Sequence, residues 1–234
     1  MSQTEERFKH TPQDLIIPSF EISRAMRGNQ RWYTISDTKQ TRSYPSITTV
    51  LGSGEKPWLD NWRKMLGEKK AKTETERCSQ RGSAVHDLAE QYLKNNNIAN
   101  QHEKQHVKLF NQIRPFLNKI DNILTQEEFL FSDTFKVAGQ VDCIGHYDGE
   151  LAIIDFKTSN GTKTREMITD YFLQCTAYSI MFYEMYGIAI DKIVIIMAVE
   201  RNFIPLIFKE VTEPHGTPLL EKINTFYQTI GKSK

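Results

Sequence analysis

Only three cysteines occur in the 234 residues, Cys78, Cys143 and Cys175, and no two form a C-x-x-C pair. That sparsity excludes a disulfide framework and offers no zinc-ligand spacing, so reduced thiols in an intracellular, cytoplasmic setting are expected. Long apolar runs are missing as well. No stretch approaches the roughly 18 residues of a membrane span, so no membrane partner is expected. The opening MSQTEERFKHTPQDL has early acids and no apolar segment, which argues against a secretory signal or a mitochondrial transit peptide. An excess of either charge is also absent: 30 basic and 29 acidic residues leave +1. With no overall field to attract a polyanion, any nucleic-acid site must be a local patch.

What the chain does have is 39% apolar residues, enough for one core, with no internal repeat or low-complexity linker. Residues 1–30 are polar and weakly patterned and read as an arm expected to be partly disordered. WYTI followed by SDTKQTRS reads as a hairpin or extended arm. PSITTVLG reads as a short helix entered at Pro45 and Ser46 and stopped by Gly52. Pro57 then opens a second helix whose Trp58, Leu59, Trp62, Met65 and Leu66 form one stripe. Helical spacing returns at Val85, Leu88, Ala89, Tyr92 and Leu93, and a further helix is expected from His102 to about Leu124. After Gln126 the texture changes. EEFLFS, VDCIGHY and ELAIIDF read as strands, then a helix of about twenty residues ends at Gly187. The strands DKIVIIMAVE and FIPLIFKEV and a helix from about Pro214 finish the chain. The expectation is one α/β domain over residues 31–234 with a helical N-terminal elaboration.

Two of these strands each carry an aspartate, and the Asp148-Gly149 turn sets their register. If Tyr147 pairs with Glu150, Asp142 stands opposite Asp155, with Cβ atoms about 4.5–5.5 Å apart. Two ionised carboxylates held that close among Ile144, Ile153 and Ile154 repel each other and lose solvation. A divalent cation offsets both effects, and Mg²⁺ or Mn²⁺ suits such hard oxygen ligands. Lys157 projects from the same strand face as Asp155, within reach of a phosphate or water. Phe156 points the other way, but its backbone carbonyl can serve as a further oxygen ligand. An isolated D-x-K would read as a salt bridge on a sheet rim; the register is what points to a metal site for phosphodiester hydrolysis.

These residues resemble the RecB-type PD-(D/E)xK nucleases, above all the mitochondrial genome maintenance exonuclease family and its phage relatives. The carrying motifs are RGSAVH (Arg81–His86), AGQVDCIG (Ala138–Gly145), IIDFKTS (Ile153–Ser159) and QCTAY (Gln174–Tyr178), with PSITTVL and RWYT similar as well. The resemblance implies a restriction-endonuclease-like core, a central mixed β-sheet flanked by helices. It further implies His86, Asp142 and Asp155 as metal ligands, Lys157 as the catalytic lysine, Gln174 and Tyr178 along the DNA path, and Arg81 and Ser159 as substrate contacts. Four cysteines would be needed for the iron–sulfur cluster of some RecB-like relatives, so no cluster is expected. The implied activity is Mg²⁺- or Mn²⁺-dependent hydrolysis of single-stranded DNA ends or flaps in replication, repair or recombination, alongside proteins of those processes. A bacterial or phage source, and so a host cytoplasm, would fit the chain. A structure-specific endonuclease on the same core, or a non-catalytic single-stranded DNA binding module, is the alternative.

Other residues carry weaker signals. Glu90, one turn after His86, is a candidate to orient its imidazole, and Glu128 for a water-mediated metal contact. Residues 61–81 hold seven basic residues against three acids, a local excess able to track phosphates. Lys163 and Arg165, in the loop after the D-x-K strand, read as phosphate contacts. Trp58 and Trp62 could stack bases, but their place in an apolar stripe favours core packing.

Overall fold

A computed structural model describes residues 7–11, 20–54, 57–98 and 102–231. Three strands come first, β1 (Glu21–Arg27), β2 (Gln30–Ser36) and β3 (Thr41–Pro45), paired antiparallel in that order. Part of the expected arm is therefore a strand. Gly28, at φ +62°, supplies the two-residue turn that joins β1 to β2. The β2–β3 hairpin closes where Asp37 accepts the amides of Lys39 and Gln40 at 2.8 and 2.9 Å. Tyr33 and Ile35 of β2 pack with Phe131 and Ala138, which fixes this small sheet onto the main one.

Next come α1 (Ile47–Gly52), α2 (Pro57–Leu66), α3 (Glu68–Leu93) and α4 (Lys104–Leu117). Ser46 caps α1 by accepting the Thr49 amide at 3.0 Å. The helix expected to run to Leu124 stops at Leu117, because the following residues join a sheet. Strand β4 (Ile120–Ser132) begins with Ile120 opposite Tyr147 and Asp121 opposite His146. Main-chain bonds of 2.9 Å from Ile123 to Lys9 and from Thr11 to Ile123 hold the stretch extended. Long-range pairing overrides the helical pattern there.

Strands β5 (Val137–Tyr147) and β6 (Glu150–Ser159) form the hairpin, α5 (Thr169–Tyr186) crosses over, and β7 (Lys192–Val199), β8 (Leu206–Val211) and α6 (Gly216–Gly231) follow. The five strands lie in the order β4-β5-β6-β7-β8; β6 and β7 are parallel and the other pairs antiparallel. Alternating residues feed two cores. Ile153, Ile193 and Ile195 face α1, α5 and α6, whereas Ile154, Val194 and Ile196 face α3 and α4. This is a mixed α/β sheet with helices on both faces, consistent with a restriction-endonuclease-like core. Among the described residues no helix is long and apolar enough to cross a membrane.

Candidate active site

The hairpin has the expected register. Asp148 and Gly149 both take positive φ (51° and 88°), Tyr147 pairs with Glu150, and the ladder runs to Cys143 opposite Ile154. It stops one pair short of the two aspartates. At that point the Phe156 N–H donates to Asp142 Oδ2 at 2.8 Å, so the main chain of β6 positions the carboxylate of β5.

His86 reaches this opening from α3. Its ring packs edge-on against Phe156, 6.2 Å between centroids, and its Nδ1 lies 3.4 Å from Asp142 Oδ2. Glu127 completes the group. Gln126 and Glu128 pair with Cys143 and Val141, which sets Glu127 against Asp142 across the β4–β5 ladder. One ligand atom from each of His86, Glu127 and Asp142 lies within 4.8 Å of the others. An imidazole nitrogen and two carboxylate oxygens at that spacing fit a divalent cation.

Asp155 stands apart from this triad. Wholly buried, it directs Oδ2 to the Lys157 ammonium, while Oδ1 accepts from Gln174 Nε2 at 3.4 Å. Gln174 also donates to the Tyr178 hydroxyl at 2.9 Å, so the two share one face of α5, as their spacing predicts. They sit beneath the acids, nearly inaccessible to solvent, rather than along an open surface. Tyr178 in turn needs Gly139: a Cβ there would lie 2.7 Å from Tyr178 Cε1 and 3.3 Å from Ile47 Cγ2. Gly139→Ala is therefore expected to cost about 1–3 kcal/mol by overpacking, read as a Tm several degrees lower in thermal unfolding.

Burial and charge set the protonation states. Burial pushes Asp155 up to about 6 against the pull of Lys157. Burial alone would lower the Lys157 ammonium, but the charges of Asp155 and Asp142 outweigh it and hold that lysine protonated. For His86, too, burial is outweighed by the charge and hydrogen bond of Asp142, which raise the imidazole. Asp142 is lowered: burial acts upward, and His86 leads the interactions that overcome it. Glu127 rises to about 7 because burial is joined by the charge of Asp142.

Several expected contacts lie elsewhere. Arg81 is buried and already partnered: it donates to Thr158 Oγ1 (3.3 Å), Asn160 Oδ1 (2.5 Å) and Glu200 Oε2 (2.6 Å). It fastens α3 to the ends of β6 and β7 rather than waiting for substrate. Arg165 donates to the Lys209 carbonyl (2.8 Å) and pairs with Glu210 on β8. Ser159 donates to the Gly161 carbonyl at 2.6 Å and so shapes its own turn. Glu90 pairs with Lys94 one turn on, not with His86. Glu128 accepts from Thr125 and from Tyr186 of α5, each at 3.1 Å, leaving its neighbour Glu127 to meet the site. Lys163 lines a cavity beside Ser159 and Tyr171. Trp62 is half-buried and lines that same cavity; the Trp58 side chain lies outside the described residues.

Fold and site together define an α/β core of the restriction-endonuclease type, with acids and a lysine gathered where two central strands part. Comparison with known proteins points the same way. The chain is 27% identical over 151 residues to mitochondrial genome maintenance exonuclease 1 of Mus musculus and 26% identical over 150 residues to its Homo sapiens counterpart. Each match takes in 59% of this chain but 44% of the relative, so the chain spans less than half the length of the curated proteins it matches. No family model matches the chain. This distant similarity supports a nuclease family.

Proposed function

We propose that this chain is a divalent-cation-dependent DNA exonuclease of the RecB-type PD-(D/E)xK branch, acting on single-stranded ends or flaps in replication, repair or recombination. The observation that carries the reading is the convergence of His86, Glu127 and Asp142 within 4.8 Å beside the buried Asp155–Lys157 pair. Those three side chains would hold Mg²⁺ or Mn²⁺, with Asp155 and the Phe156 carbonyl as further oxygens. Such a cation supplies positive charge at the scissile phosphate and acidity to the attacking water. Lys157, kept protonated by the acids around it, donates hydrogen bonds and balances the charge that builds on the phosphate. Gln174 steadies Asp155, and Phe156 steadies Asp142 through its amide. The names of the mouse and human relatives support DNA as substrate and an exonuclease mode. The exposed basic residues of α2 and α3, Lys64, Lys69, Lys70 and Lys72, suit an approaching phosphate backbone.

The test is an end-labelled single-stranded oligonucleotide beside a closed single-stranded circle, each with Mg²⁺, Mn²⁺ or chelator. Cation-dependent loss of the linear strand alone is expected. Cutting of the circle would replace this reading with an endonuclease. Binding of both substrates without hydrolysis in any cation would leave a DNA-binding module.

A further inference from the structure

The Lys157 ammonium lies 5.2 Å from the centroid of the Tyr171 ring on α5. That ring also lines a cavity of about 510 Å³, within the roughly 300–1,000 Å³ of sites that take small organic groups. Leu59 and Trp62 of α2 line the same cavity. Trp62 belongs to an apolar stripe that the core takes up only in part, since Met65 at its far end is 89% exposed. A half-buried indole and a phenol ring therefore share a cavity that starts beside the residue proposed to act on the phosphate.

The rest of the lining tells which part of a substrate would enter. Several of its hydrogen-bonding side chains are already engaged within the protein. Asn160 Nδ2 donates to Glu74 at 3.0 Å and its Oδ1 receives Arg81, while Thr158 Oγ1 also receives Arg81. Thr162 Oγ1 receives Asn202 at 3.0 Å, and Ser159 is spent on Gly161. Glu74 and Arg81 on this wall are already paired, with Arg77 and Glu200, at 2.8 and 2.6 Å. A neutral, planar group gripped by its faces fits such a cavity better than a phosphate or a base read along its edge.

We infer that this cavity is a base-tolerant stacking pocket for the nucleobase adjoining the scissile phosphate, with Trp62 and Tyr171 as its stacking surfaces. The inference rests on the nuclease reading above and adds where the nucleotide sits and why its identity is not read. Aromatic stacking is sequence-tolerant because every base offers a π face. Lys163, on the same lining, meets the backbone of the adjoining nucleotide.

The test steps 2-aminopurine through a single-stranded oligonucleotide, bound in Ca²⁺, and reads its fluorescence at each position. Strong quenching is expected at one position beside the cut bond. Trp62→Leu and Tyr171→Leu should each remove it and raise KM about tenfold, the scale of one lost stacking contact, while Trp62→Phe should keep most of both. An abasic residue at that position should cost the unaltered protein the same factor and cost Trp62→Leu nothing more. The pocket is overturned if quenching survives both leucine variants, or if the unaltered protein cuts the abasic strand with unchanged KM. Position-specific quenching with no hydrolysis in any cation would keep the pocket and overturn the nuclease reading instead.

Discussion

Lys157→Met is expected to slow cleavage of a single-stranded oligonucleotide about 10³-fold under single-turnover conditions, the usual scale for losing one preorganised electrostatic contact to a transition state. Methionine keeps the length of the side chain and removes its charge. The lysine is no general base, because Asp155 and Asp142 hold it protonated, so the deficit should not be recovered by raising the pH. Stability should respond too. Without Lys157, Asp155 is a wholly buried carboxylate with only Gln174 left, a situation that costs about 3–5 kcal/mol when a charge is stranded. Its escape is to take up a proton, since burial already lifts it to about 6. Between the unfolded value near 4 and that raised value, the native state holds a proton that the unfolded chain has released. The loss should accordingly be small at pH 5 and large at pH 8 in thermal melts. Asp155→Asn in the Lys157→Met background should restore stability at pH 8 and leave cleavage as low. Activity within tenfold of the parent in Lys157→Met would end the assignment.

Glu127→Gln is expected to make the cation-free protein more stable at pH 8 and less responsive to a cation. The Glu127 carboxyl is raised to about 7 by burial and by Asp142. Above the ordinary carboxylate range the unfolded chain gives up this proton while the folded chain keeps it, so stability contributed by Glu127 falls as pH rises from about 4.5 to 7. Removing the carboxylate removes that loss, a gain of about 2 kcal/mol at pH 8 once solvent screening of this partly exposed group is allowed for, and none near pH 4. Mn²⁺ reverses the order: it should stabilise the parent protein through three donors and the variant far less. Cleavage should fall about 10–100-fold at limiting Mn²⁺. Equal shifts in Tm with Mn²⁺ for the parent and the variant would remove Glu127 from the site.

The legible part of this site is the part written in local rules. Asp148-Gly149 specifies a two-residue turn, the turn specifies register, and a period of two carries Asp142 and Asp155 to the same place. Gln174 and Tyr178 follow just as directly from the spacing of one helical turn. Glu127 escapes such rules for two reasons. Its strand begins inside a stretch patterned like a helix, and between Asp121 and Thr125 four residues of β4 span two of β5, which hides the register. Past that irregularity the ladder places Glu127, rather than Glu128, across from Asp142, and Glu127 itself takes a positive φ of 52°. Arg81 reads as a substrate contact from its place in RGSAVH; its partner, Glu200, lies 119 residues further along, where no local signal points back to it. Trp62 shows the limit of periodicity: an apolar stripe marks a helix face but not whether the protein covers it.

One consequence of how α3 is anchored concerns length rather than chemistry. Arg81 is bolted to the ends of β6 and β7, and His86 follows five residues later on the same unbroken helix. The imidazole therefore inherits both its height and its bearing from an ion pair about 7.5 Å back along the axis. A single residue inserted between them would swing the ring by about 100° away from Asp142 while leaving every functional group in the chain. The interval in RGSAVH is thus a dimension of the proposed site in its own right, like the pitch of a thread, and a sequence that kept both letters but changed the count would align well and no longer bring the imidazole to Asp142.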